Sequence, residues 1–327
     1  MRSLLIHGMH GLGDNIYSRA VLRHYRTKYS TIWFKTPWPQ LFHDMPDVHM
    51  LDPRSPLRTQ RKNSERSAFE MPDEINVDDE TRVFYSACHI TSGRYNSLPN
   101  AMFAHMHCPT PGDYRLPVPM GWIADALRKV GMPEKPILVY RPLTVRQEWA
   151  ASTLRNPDPV AYLRIFASIR DRFFVVAVAD IDPDNEVAVS YPIKPDLSFC
   201  YGELSIELLC GLYRIASCVY ASPGFSLALS QAVETPSITV FGGHEGSRAY
   251  RSSANFAPAL MIDPISPCNC FDKTHHCLKM IDIPAAVQSA GEWCDDRVLS
   301  TFGAFRDASR DSLPAGDVVE AVHGMQR

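Results

Sequence analysis

The sequence predicts an α/β protein of two doubly wound domains, each built on a parallel sheet. Three observations carry that expectation. The chain opens Ser3-Leu-Leu-Ile-His7-Gly8-Met-His10-Gly11-Leu-Gly13-Asp14-Asn15, an apolar run followed by a glycine turn and a helix-patterned segment. Short apolar runs then alternate with helical patterns, the signature of strands joined by crossover helices. A second alternation of the same kind begins at Ile137, beyond Gly131-Met-Pro-Glu-Lys-Pro136. A length of 327 residues suits two cores better than one.

Taken in order, Ile16, Ala20, Val21, Leu22 and Tyr25 fall at helical spacing, with Arg19, Arg23, Arg26 and Lys28 interleaved. Thr31–Lys35, Val48–Leu51 and Arg82–Ser86 read as further strands. Between the last two, Asp52 to Glu80 is too polar and proline-rich for core. Its first half is basic (Arg54, Arg58, Arg61, Lys62, Arg66) and its second acidic (Asp73, Glu74, Asp78, Asp79, Glu80). An amphipathic helix from Trp122 to Val130 ends the first domain, residues 1–135. In the second, residues 136–300, strands are expected at Ile137–Tyr140, Phe173–Val178, Cys218–Ala221 and Ser237–Phe241. Helices are expected at Pro159–Arg170, Ser205–Ala216, Ser226–Val233 and Ile283–Cys294. A helical tail, 301–327, carries a last helix at Ala315–His323.

Composition narrows the function. A net charge of −3 gives no global attraction to nucleic acid or acidic membranes, so any such contact is local. No apolar run approaches the ~20 residues needed to span a bilayer. The opening strand is too short and lacks the cleavage site of a signal peptide. Nine scattered cysteines, an odd number, read as reduced thiols in a cytoplasmic protein. The opening turn lacks the Gly-x-Gly-x-x-Gly spacing, which disfavours a nicotinamide cofactor.

Three blocks resemble the ADP-heptose:lipopolysaccharide heptosyltransferases, glycosyltransferases of the GT-B fold. They are Gly11-Leu-Gly13-Asp14; Leu204-Ser205-Ile-Glu207-Leu-Leu with Ser222-Pro-Gly224-Phe-Ser226 through Pro236 to Phe241-Gly242; and Cys268-Asn-Cys270 through Cys277 to Ile281. The opening stretch also looks like bacteriophage-encoded relatives. The resemblance implies an inverting transfer from a nucleotide-sugar donor to an anionic acceptor such as a lipopolysaccharide core, the alternative being hydroxymethylated pyrimidines in DNA. An epimerase, a hydrolase or a non-catalytic nucleotide-binding protein would share the architecture.

Within that reading Asp14 is the candidate base, on the acceptor side with Gly11 and Gly13. An ordinary Asp pKa near ~4 would let it help only as the new bond forms. The plainer role for Asp14 is to cap the following helix. No Asp-x-Asp pair sits at a strand end as metal-dependent transferases require, since Asp180-Ile-Asp182 reads as a surface loop, so no metal or other cofactor is expected. The leaving diphosphate then needs side-chain charge and a helix N-terminus. Arg146 and Arg155, ahead of Arg141, are the expected phosphate contacts, with Gly224 at a helix start. Leu204, Ser222, Ser226, Gly242 and His244 are further donor candidates. Ser222 and Leu227 replace the Asp and His usual in the resembling family, so the donor sugar stays open. Cys268, Cys270, His275, His276 and Cys277 are crowded unlike the paired spacing of a structural zinc site. Arg58, Arg61 and Lys62 are candidates for acceptor phosphates, the alternative being a loop paired with its own acidic half. His89, His105 and His107 read as surface or packing residues.

Overall fold

In the computed structural model, which describes residues 2–72, 74–85, 94–146, 152–189, 194–271 and 276–300, two parallel sheets face one another across a cleft. The first is ordered β3-β2-β1-β4, from β1 (Ser3–His7), β2 (Thr31–Lys35), β3 (Val48–Leu51) and β4 (Asp79–Arg82). The second is ordered β12-β11-β10-β5-β7-β9. Its strands are β5 (Ile137–Tyr140), β7 (Phe174–Val178), β9 (Leu197–Phe199), β10 (Cys218–Ala221), β11 (Ser237–Val240) and β12 (Ala259–Ile262). A small antiparallel pair, β6 (Thr144–Val145) with β8 (Val187–Ala188), stands beside it. Central strands β5, β10 and β11 are buried at every position, because helices cover both faces.

The helices are α1 (Leu12–Tyr25), α2 (Arg58–Ser64), α3 (Leu98–His105), α4 (Met120–Val130), α5 (Pro159–Ile169), α6 (Ile206–Ile215), α7 (Phe225–Ala232) and α8 (Ile283–Cys294). Side-chain oxygens of Ser97, Asp158, Ser205 and Asp282 accept from backbone N–H groups in the first turns of α3, α5, α6 and α8. One apolar cluster runs from Leu4, Ile6 and Ile16 through Val139 and Val219, so the two sheets share a core beneath the cleft. A second, around Tyr140, Tyr162, Phe166 and Tyr220, fills the far face of the larger sheet.

Several expectations shift. The fourth strand is Asp79–Arg82, not Arg82–Ser86: it is an edge strand, held to β1 partly by Arg2–Asp79 at 2.6 Å and His7–Glu80 at 2.5 Å. The polar stretch before it contains α2, and Asp79 and Glu80 of its acidic half lie in the strand, paired with Arg2 and His7. Arg19 reads as part of a polar helix face, yet it is fully buried. Its guanidinium meets both Asp44 oxygens, at 2.8 and 2.7 Å, and donates to the Leu41 and Arg115 carbonyls. Helix α4, expected to close the first domain, packs on α6 of the second. Gly211 permits this, since a Cβ there would overlap the Trp122 carbonyl. The elements β9, β12, α2 and α3 were absent from the sequence reading. Ser86, His89, His275 and the tail helix Ala315–His323 lie outside the described residues.

Candidate active site

At the carboxyl edge of β1 the chain turns into α1, and Asn15 pins the turn. Its buried amide donates to the Met9 and Gly11 carbonyls at 2.6 and 2.8 Å and accepts from Thr36 Oγ1 at 2.8 Å. Gly11, not Asp14, occupies the N-cap, and no side chain caps it. Asp14 lies in the first turn with its carboxylate folded back over Gly11, where a Cβ would collide with Oδ2. Gly13 lets α1 meet α7 across the cleft; its own Cβ would stand 3.2 Å from Phe225 Cα. The turn thus delivers Asp14 to the N-terminus of a helix in the other domain.

Burial pushes the Asp14 carboxyl up to about 6, against the lowering effect of the Arg155 charge and a hydrogen bond from the Tyr85 hydroxyl; Glu245 adds to the rise. A pKa near 6 suits a general base at neutral pH better than the ordinary Asp value expected from sequence.

Across the cleft, α7 follows β10 through Gly224, whose φ of 133° excludes most side chains, and no side chain caps the helix. Two arginines flank its first turn. Arg141 lies with its guanidinium carbon 4.3 Å from the centre of the Phe225 ring. Arg155 pairs through Nε and Nη2 with Glu245 and reaches the Tyr250 hydroxyl at 3.2 Å, while Tyr250 donates to Glu245. Its side chain stays half exposed to the cleft. Of these arginines and Arg146, only Arg141 has no carboxylate partner among the described residues, and burial pulls its pKa below the usual arginine value.

Arg146, expected ahead of Arg141 at the phosphates, lines the same cleft but is already paired. Arg146 is bound on both sides, to Glu186 at 3.2 Å and to Thr59 of α2 at 2.5 Å. The basic half of the long loop is likewise engaged. Arg58 reaches Asp180 and Glu186, each at 3.0 Å, and Lys62 reaches Asp180 at 3.4 Å, while Arg61 stands on the exposed surface beside Glu65. Arg58 and Lys62 therefore tie the first domain to Asp180, and Lys62 also lines the cleft. Asp180, two residues past β7, is a paired carboxylate on the cleft wall.

A cleft of about 1470 Å³ is lined by Gly11, Gly13, Asp14, Tyr85, Arg141, Arg155, Leu204, Ser222, Gly224, Ser226 and His244, with Lys35, Arg66 and Arg82 on the first-domain side. Ser226 is spoken for, its hydroxyl accepting from Tyr213 at 2.9 Å. Gly242 is not on the lining; it packs against the backbone of Arg155 and Asn156. Leu227 is core, beside Phe241 and Tyr250. His105 packs on Phe84 at 4.5 Å. Sequence reasoning missed Tyr85, Glu186 and Tyr250, and it placed Glu245 in a donor loop without its tie to Arg155.

The cysteines also depart from expectation. Cys268 Sγ lies 3.3 Å from Cys270 and 3.2 Å from Cys277, Cys270 and Cys277 are 3.5 Å apart, and His244 Nδ1 is 3.8 Å from Cys270. None of the three is joined in a disulfide. A further donor, His244, comes from more than twenty residues upstream, which the crowded sequence spacing hid, and with Cys270 and Cys277 it forms a group that could hold a metal ion.

No helix among the described residues is long and apolar enough to cross a membrane. No family model matches the chain, and no curated protein matches its sequence. Solved structures do. ADP-heptose lipopolysaccharide heptosyltransferase II of E. coli is 13% identical with a TM-score of 0.52, over 89% of this chain and 100% of its own. A glycosyl transferase family 9 protein of Veillonella parvula is 11% identical with a TM-score of 0.56, over 79% and 85%. TibC of enterotoxigenic E. coli, an iron-containing dodecameric glycosyltransferase, is 14% identical with a TM-score of 0.59, over 89% and 75%. At such identities the likeness is one of architecture, and it shows that this chain has the GT-B fold of the heptosyltransferases.

Proposed function

We propose that the protein is an inverting glycosyltransferase that moves a sugar from a nucleoside diphosphate to a hydroxyl of an anionic glycan of the lipopolysaccharide type. One observation carries the reading: α1 and α7 meet at Gly13 and Phe225, so Asp14 faces a helix N-terminus flanked by Arg141 and Arg155. The helix amides and the two guanidiniums would hold the diphosphate and take up its charge as it leaves. The acceptor oxygen attacks the anomeric carbon from the face opposite the diphosphate. The new C–O bond forms as the old one breaks, and the hydroxyl proton passes to Asp14. Ser222, Leu204 and His244 border the donor. Lys35, Arg66 and Arg82, with Lys62, give the acceptor side its positive charge.

Transfer in this scheme needs no divalent ion in the cleft. Asp180, the nearest thing to a metal-binding carboxylate at a strand end, is occupied by Arg58 and Lys62. The rate should therefore be the same with magnesium and manganese withheld; strict dependence on either ion would refute the scheme. The test of function is mass spectrometry of deacylated lipopolysaccharide core after incubation with a panel of nucleotide sugars. A mass gain on DNA containing hydroxymethylated pyrimidines, with none on the core, would replace the acceptor.

Arg141→Ala and Arg155→Ala should each weaken inorganic pyrophosphate binding about tenfold or more by calorimetry, the scale of a lost charge-assisted contact. Binding of a free nucleoside should barely change. Arg146→Ala should act on stability first. Equal losses for nucleoside and pyrophosphate would remove the arginines from the diphosphate site.

A further inference from the structure

The Cys268-Cys270-Cys277 cluster is joined to the donor side of the cleft by a short, fully traceable chain of contacts. The donor atoms of His244, Cys270 and Cys277 lie within 4.8 Å of one another, and Cys268 Sγ stands 3.3 and 3.2 Å from the other two sulfurs. A tetrahedral ion with sulfur bonds near 2.3 Å needs ligand spacings of about 3.7 Å, which the Cys270–Cys277 and Cys270–His244 spacings of 3.5 and 3.8 Å approach and which Cys268 meets by moving toward the imidazole. Soft thiolates with one imidazole select zinc or ferrous iron over magnesium or calcium.

The same segment grips the loop after β11. Cys268 Sγ and the Asn269 amide both reach the Gly243 carbonyl, at 3.3 and 2.9 Å. The Phe271 amide donates to the His244 carbonyl at 3.2 Å, and Asn269 Oδ1 accepts from the Gly246 amide at 2.8 Å. Next in sequence to His244 is Glu245, buried and bound to Arg155. Downstream of Cys277, Lys279 Nζ donates to the Thr153 carbonyl at 2.6 Å, holding the Arg155 loop from its other end.

We propose that Cys268, Cys270, Cys277 and His244 hold one thiolate-preferring divalent cation, and that this ion positions Arg155 through the carboxylate of Glu245. The ion takes no part in bond making. It fixes the 242–246 loop, so that Glu245 presents both oxygens to a half-exposed guanidinium whose other described contact is the Tyr250 hydroxyl. Glu245 and His244 are then positioning residues, acting on the donor through Arg155. This rests on the reading of Arg155 as a diphosphate contact.

The experiment uses untagged full-length protein. Elemental analysis should find one equivalent of zinc or iron per chain, the two metals being told apart directly. A metal-free protein, or one whose cysteines are joined as a disulfide, overturns the proposal. Removal of the ion by a chelator should raise deuterium exchange at 153–156 and 242–246 and weaken pyrophosphate binding about tenfold, and one equivalent of the same metal should reverse both. If the chelated protein unfolds, Glu245→Gln provides the second arm: it should keep its metal yet lose pyrophosphate affinity as Arg155→Ala does, with no further loss in the double variant. Unchanged exchange after chelation in a folded protein, or a Glu245→Gln variant with full affinity beside a weakened Arg155→Ala, overturns the positioning role. Full affinity in Arg155→Ala instead refutes the diphosphate contact, while the exchange arm still reads the link from metal to loop.

Discussion

Asp14→Asn should reduce sugar transfer by about 10²–10⁴-fold, the range for loss of a general base, with nucleoside diphosphate affinity nearly unchanged. The structure adds a second, opposite expectation for the same variant. A carboxyl with a pKa of about 6 in the fold, against 3.8 for the free group, binds its proton more tightly when folded. Its contribution to stability is complete below pH 3.8 and is lost as the pH rises through 6. At pH 8 the wild type therefore carries a buried carboxylate at a disadvantage of up to about 3 kcal/mol, which Asn removes. The variant should unfold at higher urea than wild type at pH 8, and the gap should close toward pH 4. In the wild type, transfer should fall about tenfold per pH unit below 6 as the base becomes protonated. A variant that is inactive because it is less stable at pH 8 would return Asp14 to a structural role in the helix.

That dual behaviour was only half legible in the sequence. The glycine turn, the carboxylate and the helix after it announced a cleft edge, and the strands at Thr31–Lys35, Ile137–Tyr140 and Cys218–Ala221 lie where apolar patterning put them. Local patterning stops there, because the groups that tune Asp14 come from elsewhere in the chain. Tyr85 follows a strand made of Asp79-Glu-Thr-Arg82, whose polarity disguised it: an edge strand needs partners along one side only and tolerates charges that pair across it. Glu245 and Arg155 are ninety positions apart, and no spacing rule links them. Arg19 shows the same limit from the other side, since a helical pattern cannot distinguish a solvated arginine from one buried against Asp44. The pairing that sets Arg146 apart from Arg141 is hidden for this reason too. Both follow β5, and only the tertiary position of Glu186 decides which guanidinium is already occupied.

Glu186→Ala should cost about 3 kcal/mol of stability, the scale for stripping the partner from a buried pair. The carboxylate is 2% exposed and receives Arg146 on one oxygen and Arg58, with the Asp182 amide, on the other. Arg58 belongs to α2 beside the first sheet, and Glu186 and Asp180 lie beside the second, so this cluster fixes how the two halves meet. Removing Glu186 leaves two guanidiniums, each under a third exposed, short of their shared counter-charge. Urea unfolding should report the loss, and it should vary little between 0.05 and 0.5 M salt because the pairs are shielded from solvent ions. A double-mutant cycle of Arg58→Ala with Glu186→Ala separates this tie from general damage, and a coupling of at least 1 kcal/mol is expected for contacting members of one network. Zero coupling, or a stability change within about 0.5 kcal/mol, would mean that the cluster is an ordinary surface ion pair. The Arg61–Glu65 pair provides the internal contrast: both side chains are more than 60% exposed, so Arg61→Ala should leave stability almost untouched, though it lies one helical turn from Arg58.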